Sequence, residues 1–167
     1  VGMHGDDKGL ILPPSIAPFQ VVVMPVAAHS DANVLPAVQA LAERLSSNGV
    51  RTKVDSRDVR PGVKHYDWEI KGVPIRIELG PRDLSARKCV ATLRTGGKIA
   101  IDLDKAHDNV LVMLSEISEE LRVRAASVVS EIVQRFPMDN LSENDSIDSL
   151  VEDGIVYEIA FDGNDSD

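Results

Sequence analysis

Apolar and polar positions change rhythm several times along the chain, and each change marks an element. Residues 20–26 form a continuous valine-rich apolar run, the pattern of a strand covered on both faces and so central in a sheet. Val34, Val38, Leu41 and Leu45 then recur at helical spacing, with capping residues at 30–33, Pro36 in the tolerated first turn and a stop at Asn48-Gly49. Residues 50–54 read as the next strand. Strand, helix and strand at this length predict a right-handed crossover between parallel strands, with the helix on one sheet face.

From Ile75 to Leu79 the rhythm is strict alternation, apolar at odd positions with Arg76 and Glu78 between them. This predicts a half-buried strand, ended by a turn at Gly80-Pro81. Residues 90–94 and 99–103, joined by Thr95-Gly96-Gly97-Lys98, predict a hairpin with Lys98 at its tip. Upstream, a polar loop at 55–63 leads to a short helix around residues 66–70 that Gly72 stops. Val110, Met113, Leu114, Ile117, Leu121, Val128, Val129 and Ile132 predict a long helix over 104–136, closed by Pro137 and covering the sheet.

The ends are less regular. Residues 1–12 hold a Gly-Asp-Asp-Lys-Gly turn, and the following Pro13-Pro14 favours an extended connector. Residues 139–149 are acidic and rich in Ser and Asn, as connectors are. Ile155, Tyr157, Ile159 and Phe161 alternate over 154–161, predicting one more strand that needs a partner. The pattern as a whole gives an α/β fold: a mixed, mostly parallel five-stranded sheet with flanking helices and a short C-terminal appendage.

Composition narrows the function. With 167 residues, 43% hydrophobic and 27% charged, the chain fits one good-sized core plus appendages. No apolar run approaches the ~18 residues of a membrane span and the first residues lack a signal-peptide pattern, so no membrane partner and a cytoplasmic location are expected. Cys89 is the only cysteine, which excludes an internal disulfide and a cysteine-cluster zinc site. His4, His29, His65 and His107 have no ligand or nucleophile spacing, so neither a metal site nor a catalytic set is expected. The net charge of −9 would argue against a nucleic-acid partner, but residues 136–167 hold ten acids and no Lys or Arg. The rest is near neutral, and residues 51–98 carry twelve bases against six acids, a basic segment suited to phosphate.

Trp68-Glu69-Ile70-Lys71-Gly72-Val73-Pro74, followed by Arg76-Ile77-Glu78-Leu79-Gly80-Pro81-Arg82-Asp83, closely resembles the anticodon-binding domain of prolyl-tRNA synthetases of the archaeal or eukaryote-like type. His4-Gly5-Asp6-Asp7-Lys8-Gly9-Leu10 and Leu12-Pro13-Pro14 resemble the end of that family's catalytic domain and its exit linker. Ala17-Pro18-Phe19-Gln20-Val21-Val22 resembles the first strand beyond it. The resemblance covers roughly residues 3–136. It implies the class IIa anticodon-binding domain fold and three segments: 1–16 as the end of the catalytic domain and linker, 17–136 as the anticodon-binding domain, 137–167 as acidic connector and remnant of a C-terminal module. That module usually binds zinc through cysteines beginning near Phe161-Asp162-Gly163, and this sequence has none there.

The resemblance further implies that Glu69, Arg76, Arg82, Asp83 and Lys98 lie where anticodon bases dock, with Glu78 in support. A splayed guanine presents N1–H and N2–H donors beside O6 and N7 acceptors, which carboxylate and guanidinium match. For Arg82 and Asp83 a turn stabilised by its own aspartate stays open beside binding, and for Lys98 a solubilising role. Trp68 reads as a core anchor in preference to a base-stacking platform. The implied partners are the anticodon stem-loop of tRNA(Pro) and the catalytic domain of a homodimeric parent synthetase, which would use ATP and Mg2+. The fragment itself needs no cofactor and should be inactive alone. A free-standing or regulatory RNA-binding protein with this fold and no ligase activity is the alternative. A small-molecule enzyme on an open α/β sheet lacks a glycine-rich phosphate loop to support it.

Overall fold

The structure, a computed structural model, describes residues 5–135 and 156–158. It divides into two compact units, Val1–Leu121 and Arg122–Asp167. The first unit opens with a hairpin of β1 (Gly5–Asp6) and β2 (Gly9–Leu10), where Gly5 pairs with Leu10 and Asp6 with Gly9. The segment expected as a turn in an extended connector thus folds back on itself. Behind it the Pro13-Pro14 stretch is tied down by Arg51, whose Nε donates to the Ala17 carbonyl (3.0 Å) and Nη2 to that of Pro14 (2.7 Å).

The main elements follow as β3 (Val21–Pro25), α1 (Val34–Ser47), β4 (Thr52–Val54), α2 (Pro61–Ile70), β5 (Ile75–Leu79), α3 (Pro81–Ser85), β6 (Lys88–Leu93), β7 (Lys98–Asp102) and α4 (Ala106–Ile132). The strands form one sheet in the order β4-β3-β5-β6-β7. β3 is parallel to both neighbours, β6 antiparallel to both of its own, so four of the five strands run the same way. The valine-rich β3, expected to be central, is flanked by strands on both sides and stands one place from the middle, which β5 takes.

The two sheet faces are covered unequally. On one, Val21, Val23, Ile75, Ile77, Leu79, Cys89, Ala91 and Ile101 meet α1 and the first part of α4 in a single buried cluster. Each fully buried Val, Ile or Leu side chain there contributes roughly 1.5–3 kcal/mol. On the other face Val22 and Met24 pack with Trp68 of α2 and Val73 in a separate small cluster. β3 therefore has apolar cover on both sides, as a continuous run requires. β5 has it on one, and its even residues face the opposite way.

Two further differences from the sequence pattern concern how elements end. Gly80-Pro81 does end β5, but Pro81 then begins a helix: Gly80 is its N-cap and donates its N–H to Asp83 Oδ2 (2.9 Å). Pro at the first helical position sacrifices no hydrogen bond, so the same residues that break a strand start this turn. The long helix stops at Ile132, and the second unit continues with β8 (Val133–Arg135), paired in parallel with β9 (Val156–Glu158). β9 lies inside the alternating stretch expected at 154–161. The flanks of that stretch, the acidic connector and Pro137 lie outside the described residues.

Cys89, on β6, is fully buried, and its thiol is pushed up to about 11, first by burial and then by the Asp83 charge.

Candidate nucleic-acid interface

The less-covered sheet face carries the site, and α2 frames it. Pro61 starts this helix and Gly72, at φ 69°, turns the chain sharply into β5. The reversal places Glu69, near the end of α2, over Arg76, second in β5: Arg76 Nη1 is 3.4 Å from Glu69 Oε1. Glu78, two residues along the same strand face, lies 3.6 Å from Arg76 Nε and 2.8 Å from His65 Nε2, an ion-pair distance when the imidazole is protonated.

A cleft of about 410 Å³ opens beside this pair, lined among others by Lys8, Glu69, Arg76, Thr92, Arg94 and Lys98. Arg76 is only 9% exposed, yet both of its carboxylate contacts are long and its Nε has no hydrogen-bond partner among the described residues. A buried guanidinium with an unfilled donor is costly unless something else satisfies it.

Trp68 is the anchor that the sequence reading favoured. It is 7% exposed, its Nε1–H donates to Asp55 Oδ2 at 2.7 Å, and Phe19 meets its ring edge-on at 6.3 Å. Asp55 fastens the whole helix, because Arg57 donates to it through Nε (2.9 Å) and Nη2 (2.8 Å) while reaching Asp67 of α2 with Nη1 (2.8 Å). Lys64 adds a bond from Nζ to the Asp55 carbonyl (3.1 Å). The Arg57 guanidinium, helped by the Trp68 N–H, holds the Asp55 carboxyl well below the usual carboxylate range.

Of the five residues expected at the interface, the cleft brings together Glu69, Arg76 and Lys98. Lys98 is the first residue of β7, paired with Thr92, so it stands on the strand beside the turn and not at its tip. Arg82 and Asp83 lie just beyond the other end of β5, on α3. Asp83 is engaged as the cap of that helix, and Arg82 is exposed. A second cleft of about 650 Å³, at the carboxyl ends of β3 and β5, is lined by Met24, His29, Lys64, His65 and Glu78 among others. Lys64 there is already bonded to Asp55.

Sequence reasoning missed Lys8 and Arg94. Arg94, with a side chain only 5% exposed, donates through Nη1 and Nη2 to the two oxygens of Asp6 at 2.8 and 2.5 Å. It also reaches the carbonyls of Gly9 (3.2 Å) and Glu69 (3.3 Å). No local pattern announces a contact across 88 positions. Among the described residues no group of three or more His, Cys, Asp or Glu could hold a metal, and no helix is long and apolar enough to cross a membrane.

The sequence profile of the family described as "Anticodon binding domain" matches residues 20–113. Among curated relatives, the chain is 44% identical over 137 residues to "Proline--tRNA ligase" of Thermococcus kodakarensis, covering 81% of this chain and 28% of that protein. It is 45% identical over 145 residues to the protein of the same name from Methanoregula boonei, covering 84% and 30%. With that of Methanobrevibacter smithii it shares 38% identity over 170 residues, 98% of this chain and 34% of the other. The chain thus spans about a third of the length of these relatives.

Proposed function

The chain belongs to the anticodon-binding domain family, and from that premise we propose that it reads the anticodon of tRNA(Pro) as the tRNA-binding part of a prolyl-tRNA synthetase. The parent enzyme would be a cytoplasmic, homodimeric class II ligase whose catalytic domain charges the tRNA with proline using ATP and Mg2+. The observation that carries this reading is the pairing of Arg76 with Glu69 on the wall of one cleft: a guanidinium whose contacts to Glu69 and Glu78 are both long, beside a carboxylate, with Lys98 on the same lining. Glu69 accepts from the N1–H and N2–H of a splayed guanine, and Arg76 donates to acceptors on the same or the neighbouring base. Lys98 at the rim meets phosphate. Arg82 and Asp83 would belong to the same interface only if the RNA extends past the end of β5, which a loop of several nucleotides can do.

Glu69→Gln and Arg76→Lys are each expected to weaken binding of a tRNA(Pro) anticodon stem-loop by about 1–3 kcal/mol, with little change for a control loop lacking the two guanines. Gln turns an NH2 group towards a guanine donor. Lys keeps the charge of Arg76 and loses its planar fork. Lys53→Ala, exposed on β4 at the far edge of the sheet, should change neither. Competition binding of the two loops measures this. Unchanged discrimination in both cleft variants would mean that the anticodon is read elsewhere.

A further inference from the structure

We propose that Lys8, in the turn of the N-terminal hairpin, is a further RNA-contacting residue that shares the phosphate contacts of the cleft with Lys98, and that Arg94 and Asp6 are the positioning residues that hold it there. This rests on the anticodon-reading function above. The hairpin is built into the cleft wall by close contacts on both of its sides. A Cβ at Gly9, whose φ is 132°, would stand 2.6 Å from the Ile70 Cα, and one at Gly72 would stand 2.7 Å from the Leu10 Cβ. Such approaches leave no room for any other residue, and the Leu12 N–H donates to the Gly72 carbonyl at 3.3 Å behind them.

The four cations lining the cleft differ in what is left for a ligand. Arg76 faces Glu69 and Glu78. Arg94 is spent on Asp6 and two carbonyls, and its guanidinium holds the Asp6 carboxyl far below the usual range. Lys8 and Lys98 are exposed, and neither has an ion-pair partner among the described residues. A base docked edge-on against Glu69 and Arg76 carries its flanking phosphates out over the rim. An ammonium on a flexible stem suits them as a compact point charge. Asp6 links the two halves of the arrangement: while both its oxygens accept from Arg94, Oδ1 also accepts the Lys8 N–H at 2.9 Å, which fixes the turn that presents Lys8.

The test is equilibrium binding of the full chain to the tRNA(Pro) anticodon stem-loop and to the guanine-free control, between about 50 and 200 mM salt. Lys8→Ala should weaken both loops by the same factor, roughly three- to tenfold, and flatten the slope of log K against log salt by about 0.7, one single-strand phosphate contact. Lys8→Arg should restore both. Asp6→Asn and Arg94→Met should flatten the slope in the same way, and adding Lys8→Ala to either should cost little more, because the lysine is already displaced. If Arg94→Met fails to fold, the exposed Asp6→Asn carries this arm alone. An unaltered slope in Lys8→Ala, with Glu69→Gln still losing discrimination, would overturn the assignment of Lys8 and leave anticodon reading standing. Loss confined to the guanine-bearing loop would make Lys8 a base contact and overturn the phosphate role. A wild-type chain that fails to prefer that loop would overturn both readings.

Discussion

Asp55→Ala should destabilise the folded first unit by about 2–4 kcal/mol, measured as the change in free energy of urea unfolding. The substitution orphans the Trp68 indole N–H, buried at 2.7 Å from the carboxylate, and removes both charge-assisted bonds from Arg57. Arg57 is half exposed and keeps Asp67, so water meets part of its loss; the indole has no such recourse. Asp55→Asn should fall between, since one oxygen can still accept from Trp68 while the NH2 group opposes the guanidinium. The same carboxylate gives the variant a pH signature. Its folded pKa is depressed, so its contribution is complete above the ordinary unfolded value near 4 and is lost as pH falls from there towards the folded value. Wild type and Asp55→Ala should therefore converge in stability on acidification, the gap narrowing only below about pH 4. A gap that stayed constant through this range, or a loss at neutral pH under about 0.5 kcal/mol, would show that Trp68 and Arg57 find other partners.

Gly72→Ala should cost a comparable amount, about 2–5 kcal/mol, and Gly49→Ala about 1–2. Both glycines have positive φ, 69° and 85°, where an L side chain is strained. Only at Gly72 would the new methyl also strike another segment, 2.7 Å from the Leu10 Cβ and 2.9 Å from its carbonyl carbon and oxygen. At Gly49 it meets nothing within 4 Å. The difference between the two losses in thermal or urea unfolding isolates the pressure of the hairpin on the α2–β5 turn. Equal losses would mean that the hairpin yields at no cost. Because that turn sets Glu69 over Arg76, Gly72→Ala should impair anticodon-loop discrimination as well as stability.

How much of this could be read from the sequence depended on distance along the chain. The unbroken run of β3 and the alternation of β5 are local records of what covers each strand face, and they gave interior and half-open positions that the sheet order bears out. Glu69 and Arg76 are seven residues apart across a glycine turn, so their proximity was within reach of a local argument. α3 was not: five residues are too few for periodicity, and its capping bond from Gly80 to Asp83 uses the residues that also make turns. β8 was hidden because Ile132 continues the helical apolar pattern up to its last residue. Arg94 and Asp6 were out of reach altogether. Their pairing exists only once the sheet has formed and the hairpin has docked on it, and each residue alone is an unremarked surface type.

Cys89 has a practical corollary. As the sole cysteine, fully buried and with its thiolate suppressed at neutral pH, it leaves the folded chain silent to maleimide and disulfide reagents. A fluorophore on an introduced cysteine at the cleft rim would thus label one position only, without first replacing the native residue. Unlabelled, the chain offers the converse experiment: the slow emergence of a reactive thiol times the transient opening of the β5–β6–β7 edge, a clock already set inside the sheet that frames the cleft.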